Sequence, residues 1–125
     1  MIVLDTSVLI DSLSGHRRSA KALRSAIEQG ERIIIPCLVL YEWLRGPRSP
    51  SEIATQAALF PAESALPFGP REALLSAELY RSVKRPRGRE IDLAIAACAI
   101  IRNAGLWTLN TADFRDIPQL RLAAF

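Results

Sequence analysis

The chain has 125 residues, half of them hydrophobic, with 16 Lys and Arg against 13 Asp and Glu for a net charge of +3. That is the length of one globular domain, residues 1–125, able to bury a core without disulfide or metal staples and too apolar for disorder. No apolar run approaches the roughly 20 residues of a membrane span. The opening Met1-Ile2-Val3-Leu4-Asp5 has neither the basic region nor the cleavage site of a signal peptide, so a cytoplasmic protein is expected.

Ile2-Val3-Leu4 reads as a short buried strand, and Asp5-Thr6-Ser7 supplies cap residues for a helix beginning near Val8. Ala20, Leu23, Ala26 and Ile27 keep helical spacing within 17–29, and Gly30 closes that helix. Ile33-Ile34-Ile35 is a β-branched second strand ended by Pro36, which can open the next helix. That helix carries Leu38, Val39, Tyr41, Glu42 and Leu44 and stops at Gly46-Pro47. A further helix is expected over 51–60, a weak strand at Ala65-Leu66-Pro67 and a long helix over 70–83. The basic loop 85–89 leads into a strongly apolar helix over 91–102. Leu106-Trp107-Thr108-Leu109 and Leu120-Arg121-Leu122 are the last two strands. Strands that are apolar throughout and alternate with helices indicate a parallel sheet covered on both faces. The expected fold is therefore a three-layer α/β/α sandwich around a mainly parallel sheet of four to five strands.

The chemistry of the chain points to carboxylates. His16 is the only histidine and lies in a polar stretch beside Arg17 and Arg18, a poor start for a catalytic triad or a zinc site. Cys37 and Cys98 sit in apolar surroundings without metal-ligand spacing and are expected as buried free thiols. In contrast, Asp5 directly follows the first strand and Asp113 follows the Leu106–Leu109 strand, at the strand ends where parallel sheets bind ligands. Glu42 and Asp92 can reach the same edge from their helices. Each acid also has a plainer reading. Asp5 is a natural N-cap, Glu42 can pair with Arg45 one turn on, Asp92 suits a helix N-terminus, and Asp113 suits a turn. All four on one edge make an acidic pocket, and uncompensated carboxylates persist together chiefly when a cation neutralises them. Oxygen-only ligands suit Mg²⁺ or Mn²⁺, and such sites typically serve phosphoryl transfer.

Four segments in this order resemble the PIN-domain ribonucleases, and among them the VapC-type toxins of toxin–antitoxin pairs. They are Ile2 to Ile10 with Asp5, Pro36 to Gly46 with Glu42, Asp92-Leu93-Ala94-Ile95-Ala96-Ala97-Cys98-Ala99, and Thr108 to Phe114 with Asp113, followed by Ile117-Pro118-Gln119-Leu120. The resemblance runs from Met1 to Leu122. It implies a Mg²⁺- or Mn²⁺-dependent endoribonuclease that leaves 5′-phosphate and 3′-hydroxyl ends. Asp5, Glu42 and Asp92 would hold the metal, and Asp113 a second metal or the attacking water. Thr6, Ser7 and Asn110 would support phosphate or metal-bound water. It also implies a homodimer neutralised by a small VapB-like antitoxin.

The departures are modest. Cys37 stands where a small hydroxyl residue is common, and Glu90, two residues before Asp92, falls on a different helix face. Asp11 and Asp116 are spare acids near the motifs, Asp116 being the runner-up ligand. Lys84, Arg85, Arg87 and Arg89, and more weakly Arg45 and Arg48, are candidates for steering RNA backbone to the cleft. The competing readings are a metal-dependent nuclease on DNA, a phosphatase, and a catalytically silent PIN-like module that binds RNA or protein.

Overall fold

A computed structural model describes the whole chain, Met1 to Phe125. The sheet has three strands, β1 (Ile2–Leu4), β2 (Ile33–Ile34) and β3 (Gly105–Trp107), all parallel in the order β2-β1-β3. Six helices surround it: α1 (Thr6–Leu13), α2 (Ala20–Glu28), α3 (Cys37–Arg45), α4 (Pro50–Leu59), α5 (Pro70–Ser82) and α6 (Glu90–Ile101). Short 3-10 turns occupy Ala62–Ser64 and Thr111–Asp113. No helix is long and apolar enough to cross a membrane.

The chain moves from β1 outward to β2, then back across β1 to β3. Right-handed crossovers in opposite directions leave helices on each face of the sheet. The burial of every residue in β1 and β3 agrees, since only a sheet covered on both faces hides both alternating sets of side chains. α6 packs directly on β1 and β3 and against α5, while α1 packs on α2, α3 and α4. α6 is buried continuously from Leu93 to Ala99, and its alanines let neighbouring elements approach closely. This inner helix fixes where its own first turn, and hence Asp92, meets the sheet.

The expected sheet of four to five strands is corrected to three. The segments at Leu66 and Leu122 each touch the sheet through one parallel bridge, Leu66 to Pro36 and Leu122 to Leu106. Leu66 donates to Ile35 and accepts from Cys37, but Pro36 and Pro67 on either side bring no N–H to lengthen the ladder. Leu106 donates to Arg121 and accepts from Ala123, and the pairing goes no further. Two helix starts also move. α1 begins at Thr6, and α2 begins at Ala20 because Gly15 (φ 61) and Arg17 (φ 53) turn the chain into the left-handed region first. Gly30, at φ 87, follows α2 as a residue without a Cβ should. Cys98 is buried, but Cys37 is exposed, because it opens α3 on the helix's outer side instead of continuing the strand.

Candidate active site

The order β2-β1-β3 makes the end of β1 the place where successive connections depart to opposite sides, and ligands of open parallel sheets bind outside that point. Asp5 is the residue immediately after β1 and is only 4% exposed. Its backbone N–H donates to the carbonyl of Trp107, so the pairing of Leu4 with Trp107 carries on and sets Asp5 beside Thr108. Two hydroxyls donate to Asp5 Oδ2, Ser7 at 2.8 Å and Thr108 at 2.7 Å. These hydroxyls are themselves held: Leu109 N–H donates to Ser7 Oγ and Asn110 N–H to Thr108 Oγ1, both at 3.0 Å. Asp5 occupies the N-cap position of α1 but makes no side-chain cap bond. Its carboxylate is turned to the hydroxyl network, so the plain capping role is not what it performs.

Glu42 lies on α3 and is partly buried. Thr6, the first residue of α1, donates its hydroxyl to Glu42 Oε1, and Arg45 approaches Oε2 at 3.4 Å. The one-turn pairing with Arg45 is therefore present but long, and the Arg45 side chain is 52% exposed with its guanidinium 5.2 Å from the centre of the Tyr41 ring. Asp92 sits in the first turn of α6. Its carboxyl is pushed up to about 6, first by burial and then by the negative charges of Asp5, Asp113 and Glu42, with Arg89 opposing. A carboxylate at a helix N-terminus ordinarily gains from the dipole; here burial and three like charges outweigh it. Asp113, in the 3-10 turn after β3, is exposed. The four acids from four distant segments are thus electrostatic neighbours.

They are not a closed cage. No three of them stand together as a ready ligand set, even though each of the other three is felt at Asp92. The donor set itself is all oxygen, with no His or Cys among the four, and matches a hard divalent cation.

The supporting residues divide. Thr6 and Ser7 use their hydroxyls to orient Glu42 and Asp5, leaving them unavailable to a phosphate. Asn110 keeps an exposed side chain and contributes only its backbone N–H to the network. Lys84, Arg85 and Arg87 are exposed on the loop before α6. Arg89, grouped with them by sequence, is spent elsewhere. Its fork grips both oxygens of Asp116, with Nη1 to Oδ2 at 3.0 Å, and Nη2 also donates to the carbonyl of Asp113 at 2.8 Å. Asp116, the spare acid, is accordingly held below the usual carboxylate range by Arg89. Glu90 accepts from Gly88 N–H and Asp11 accepts from Ser19, so neither joins the cluster. Arg48 lies 4.2 Å over the Trp43 ring and donates to the Trp43 carbonyl, a packing role. Thr108 is the site residue that sequence reasoning missed; its place one past β3, in register with the residue one past β1, is the signal that would have found it.

A cavity of about 700 Å³ lies between α1, α2 and α4, where Leu13, Leu23, Ile27 and Leu59 line it. None of the four acids lines it.

A family model described as PIN domain matches residues 2–120. Ribonuclease VapC19 of Mycobacterium tuberculosis is 35% identical over 128 residues, an alignment covering 97% of this chain and 98% of that protein. Ribonuclease VapC of Rickettsia bellii is 43% identical over 60 residues, 46% of this chain and 44% of that one. Among solved structures, the DNA-bound VapBC of Salmonella typhimurium is similar with a TM-score of 0.76 at 22% identity, covering 98% of this chain and 96% of the other. A toxin–antitoxin complex from Klebsiella pneumoniae gives 0.71 at 27% identity, over 96% and 95% of the two chains.

Proposed function

Since the chain belongs to the PIN-domain family and, within it, to the VapC ribonucleases, we propose that it is a metal-dependent endoribonuclease toxin whose active site is Asp5, Glu42, Asp92 and Asp113. What most supports this reading is that Asp5 stands at the end of β1 and that the half-buried Asp92 carboxyl is raised, first by burial and then by the charges of Asp5, Asp113 and Glu42. Mg²⁺ or Mn²⁺, when bound, supplies the positive charge that neutralises these acids and activates water. Asp5, Glu42 and Asp92 would hold it, and Asp113 would hold a second ion or the attacking water.

The chain's own residues then act on RNA in defined ways. Ser7 and Thr108 fix Asp5 through Oδ2, and Thr6 fixes Glu42 through Oε1, so the acids keep their orientation before substrate arrives. Water attacks phosphorus, the bond to the 3′ oxygen breaks, and that oxygen leaves with a proton. The products are a 5′-phosphate and a 3′-hydroxyl. Lys84, Arg85 and Arg87 bring the backbone to the edge, and Asn110 offers its amide to phosphate. Arg45 is a weaker contact, since it is already drawn to Glu42. A VapB-like antitoxin is the partner that neutralises the enzyme, a reading supported by the toxin–antitoxin complexes among its structural relatives. The toxin acts as a homodimer in the cytoplasm.

The test is cleavage of RNA, single-stranded DNA and a small phosphoester, with and without EDTA, by the wild type and by Asp5→Asn. RNA cleavage that EDTA abolishes, and that the folded variant lacks, is expected. Undiminished cleavage by folded Asp5→Asn refutes the role given to that residue. Preference for DNA or for the phosphoester refutes the substrate.

A further inference from the structure

We propose that Arg89 is a positioning residue of the acid site: its guanidinium clamps the turn that carries Asp113 to the start of α6, which carries Asp92. The inference rests on the reading of these acids as the active set. Arg89 occupies the N-cap position of α6, three residues before Asp92. It reaches 24 residues along the chain to the Asp113 carbonyl and 27 to the Asp116 carboxylate. Three of its donor contacts therefore end within four residues of one another, on the segment Asp113–Asp116 that continues the acid's own turn.

Asp113 needs such a support. Its side chain is exposed, so its location is inherited from its backbone. The turn is a single 3-10 stretch whose internal bonds run from Asp113 to Asn110 and from Phe114 to Thr111. Phe114 and Ile117, 1% and 4% exposed, anchor the segment from below. Arg89 is the polar tie that fixes it laterally against α6. Geometry, not stabilisation, is the natural use of this pair, because Asp116 is 50% exposed and ion pairs open to water contribute little to stability. A planar fork meeting both carboxylate oxygens while also reaching a carbonyl sets distance and angle together, which the single ammonium of lysine does not. The charges of Asp92 and Asp113 both reach Arg89, consistent with a clamp set between the two acids it spaces.

Two measurements on Arg89→Ala, Arg89→Lys and Asp116→Ala test this. In the metal-free proteins, amide exchange at Asp113 and Phe114 should rise at least tenfold in all three variants, with far-UV circular dichroism unchanged. In a titration with Mn²⁺ alone, binding should weaken about tenfold, the low end of what second-layer contacts to ligands usually contribute, and Arg89→Lys should not restore it. If Arg89 acts only as a nearby positive charge, its removal tightens Mn²⁺ and Asp116→Ala weakens it, and these opposite signs overturn the clamp. Unchanged amide exchange overturns it too. Wild-type uptake of Mn²⁺ with equal uptake by all variants overturns this inference alone, whereas a wild type that takes up no Mn²⁺ overturns the metal reading of the site together with it.

Discussion

Replacing Asp92 by Asn should make the metal-free protein more stable while destroying its activity. The folded carboxyl titrates at about 6 against an ordinary 3.8, chiefly because it is buried and then because Asp5, Asp113 and Glu42 repel its charge. The folded state thus binds this proton more tightly than the unfolded state does. Between those two values the native protein carries the extra proton, so stability falls as pH rises through that window. Below it both states are protonated and the penalty vanishes; above it the penalty is fully present. At about 1.36 kcal/mol per pH unit the displacement bounds the penalty at about 3 kcal/mol. Because the carboxyl is only partly shielded from water, screening brings that to about 1.5 kcal/mol. Unfolding entropy near 2.1 cal/mol/K per residue, over 125 residues, converts it to a rise in Tm of about 6 °C.

The assay is thermal unfolding by circular dichroism in EDTA, wild type against Asp92→Asn, from pH 4 to pH 8. The gap should be about 6 °C at pH 8, shrink steadily below pH 6 and close near pH 4. Mg²⁺ added at pH 8 should raise the wild-type Tm and leave the variant almost unmoved. A gap that does not change with pH, or a variant less stable than the wild type at pH 8, refutes the claim that four mutually repelling acids share this edge.

Three further outcomes follow from the contacts around the site. Thr108→Val removes one of the two donors to Asp5 and leaves the Asn110 N–H without its acceptor; denaturant titration should show a loss of about 1–3 kcal/mol, and cleavage should fall while far-UV spectra stay the same. Arg48→Ala gives up the bond to the Trp43 carbonyl and the cation over its ring; it should cost about 1–2 kcal/mol with specific activity unchanged, checked by unfolding and turnover side by side. Neutralising Lys84, Arg85 and Arg87 together should weaken RNA binding and flatten the dependence of log K on log salt by about 2, from roughly 0.7 per lost phosphate contact on a single strand.

What could be read from the sequence was whatever depends on local pattern. The helices are legible from local signals, α2 from apolar spacing, α1 from its cap residues, α3, α4 and α5 from a proline at or beside their first residue, and α6 from its continuous apolar run, and Asp5 follows from standing one residue past an apolar triplet. The number of strands was less legible, because Leu66 and Leu122 have strand-like composition and each pairs only once. Whether a strand extends depends on neighbouring N–H groups such as those Pro36 and Pro67 lack, which hydrophobicity does not encode. Polar partnerships across long separations were invisible for the same reason. Thr108 meets Asp5 only through sheet register, and Arg89 looked like one more cation of a basic loop until its fork was seen on Asp116.

The fate of the cations sharpens what a net charge of +3 means. Two arginines beside the acids are already engaged, Arg45 with Glu42 and Arg89 with Asp116. Neither can neutralise Asp92 fully, since its carboxyl still titrates at about 6 with Arg89 in its field. The remaining negative charge therefore has no cationic side chain that neutralises it, which fits the divalent cation proposed above. Lys84, Arg85 and Arg87, exposed and in no ion pair, lie only a few residues before α6, as the proposed attraction for an RNA backbone requires. Swapping these tasks would fail on both counts: arginines aimed into the acids would compete with the metal, and an ion-paired loop would lose its attraction for phosphate. The separation predicts that added Mg²⁺ and added monovalent salt act on different quantities, the first on turnover and the second on RNA affinity. Titrating each at a fixed level of the other should show the salt effect confined to KM and the Mg²⁺ effect falling mainly on kcat. Salt that lowers kcat at saturating RNA would show that the loop and the acids are not separate devices.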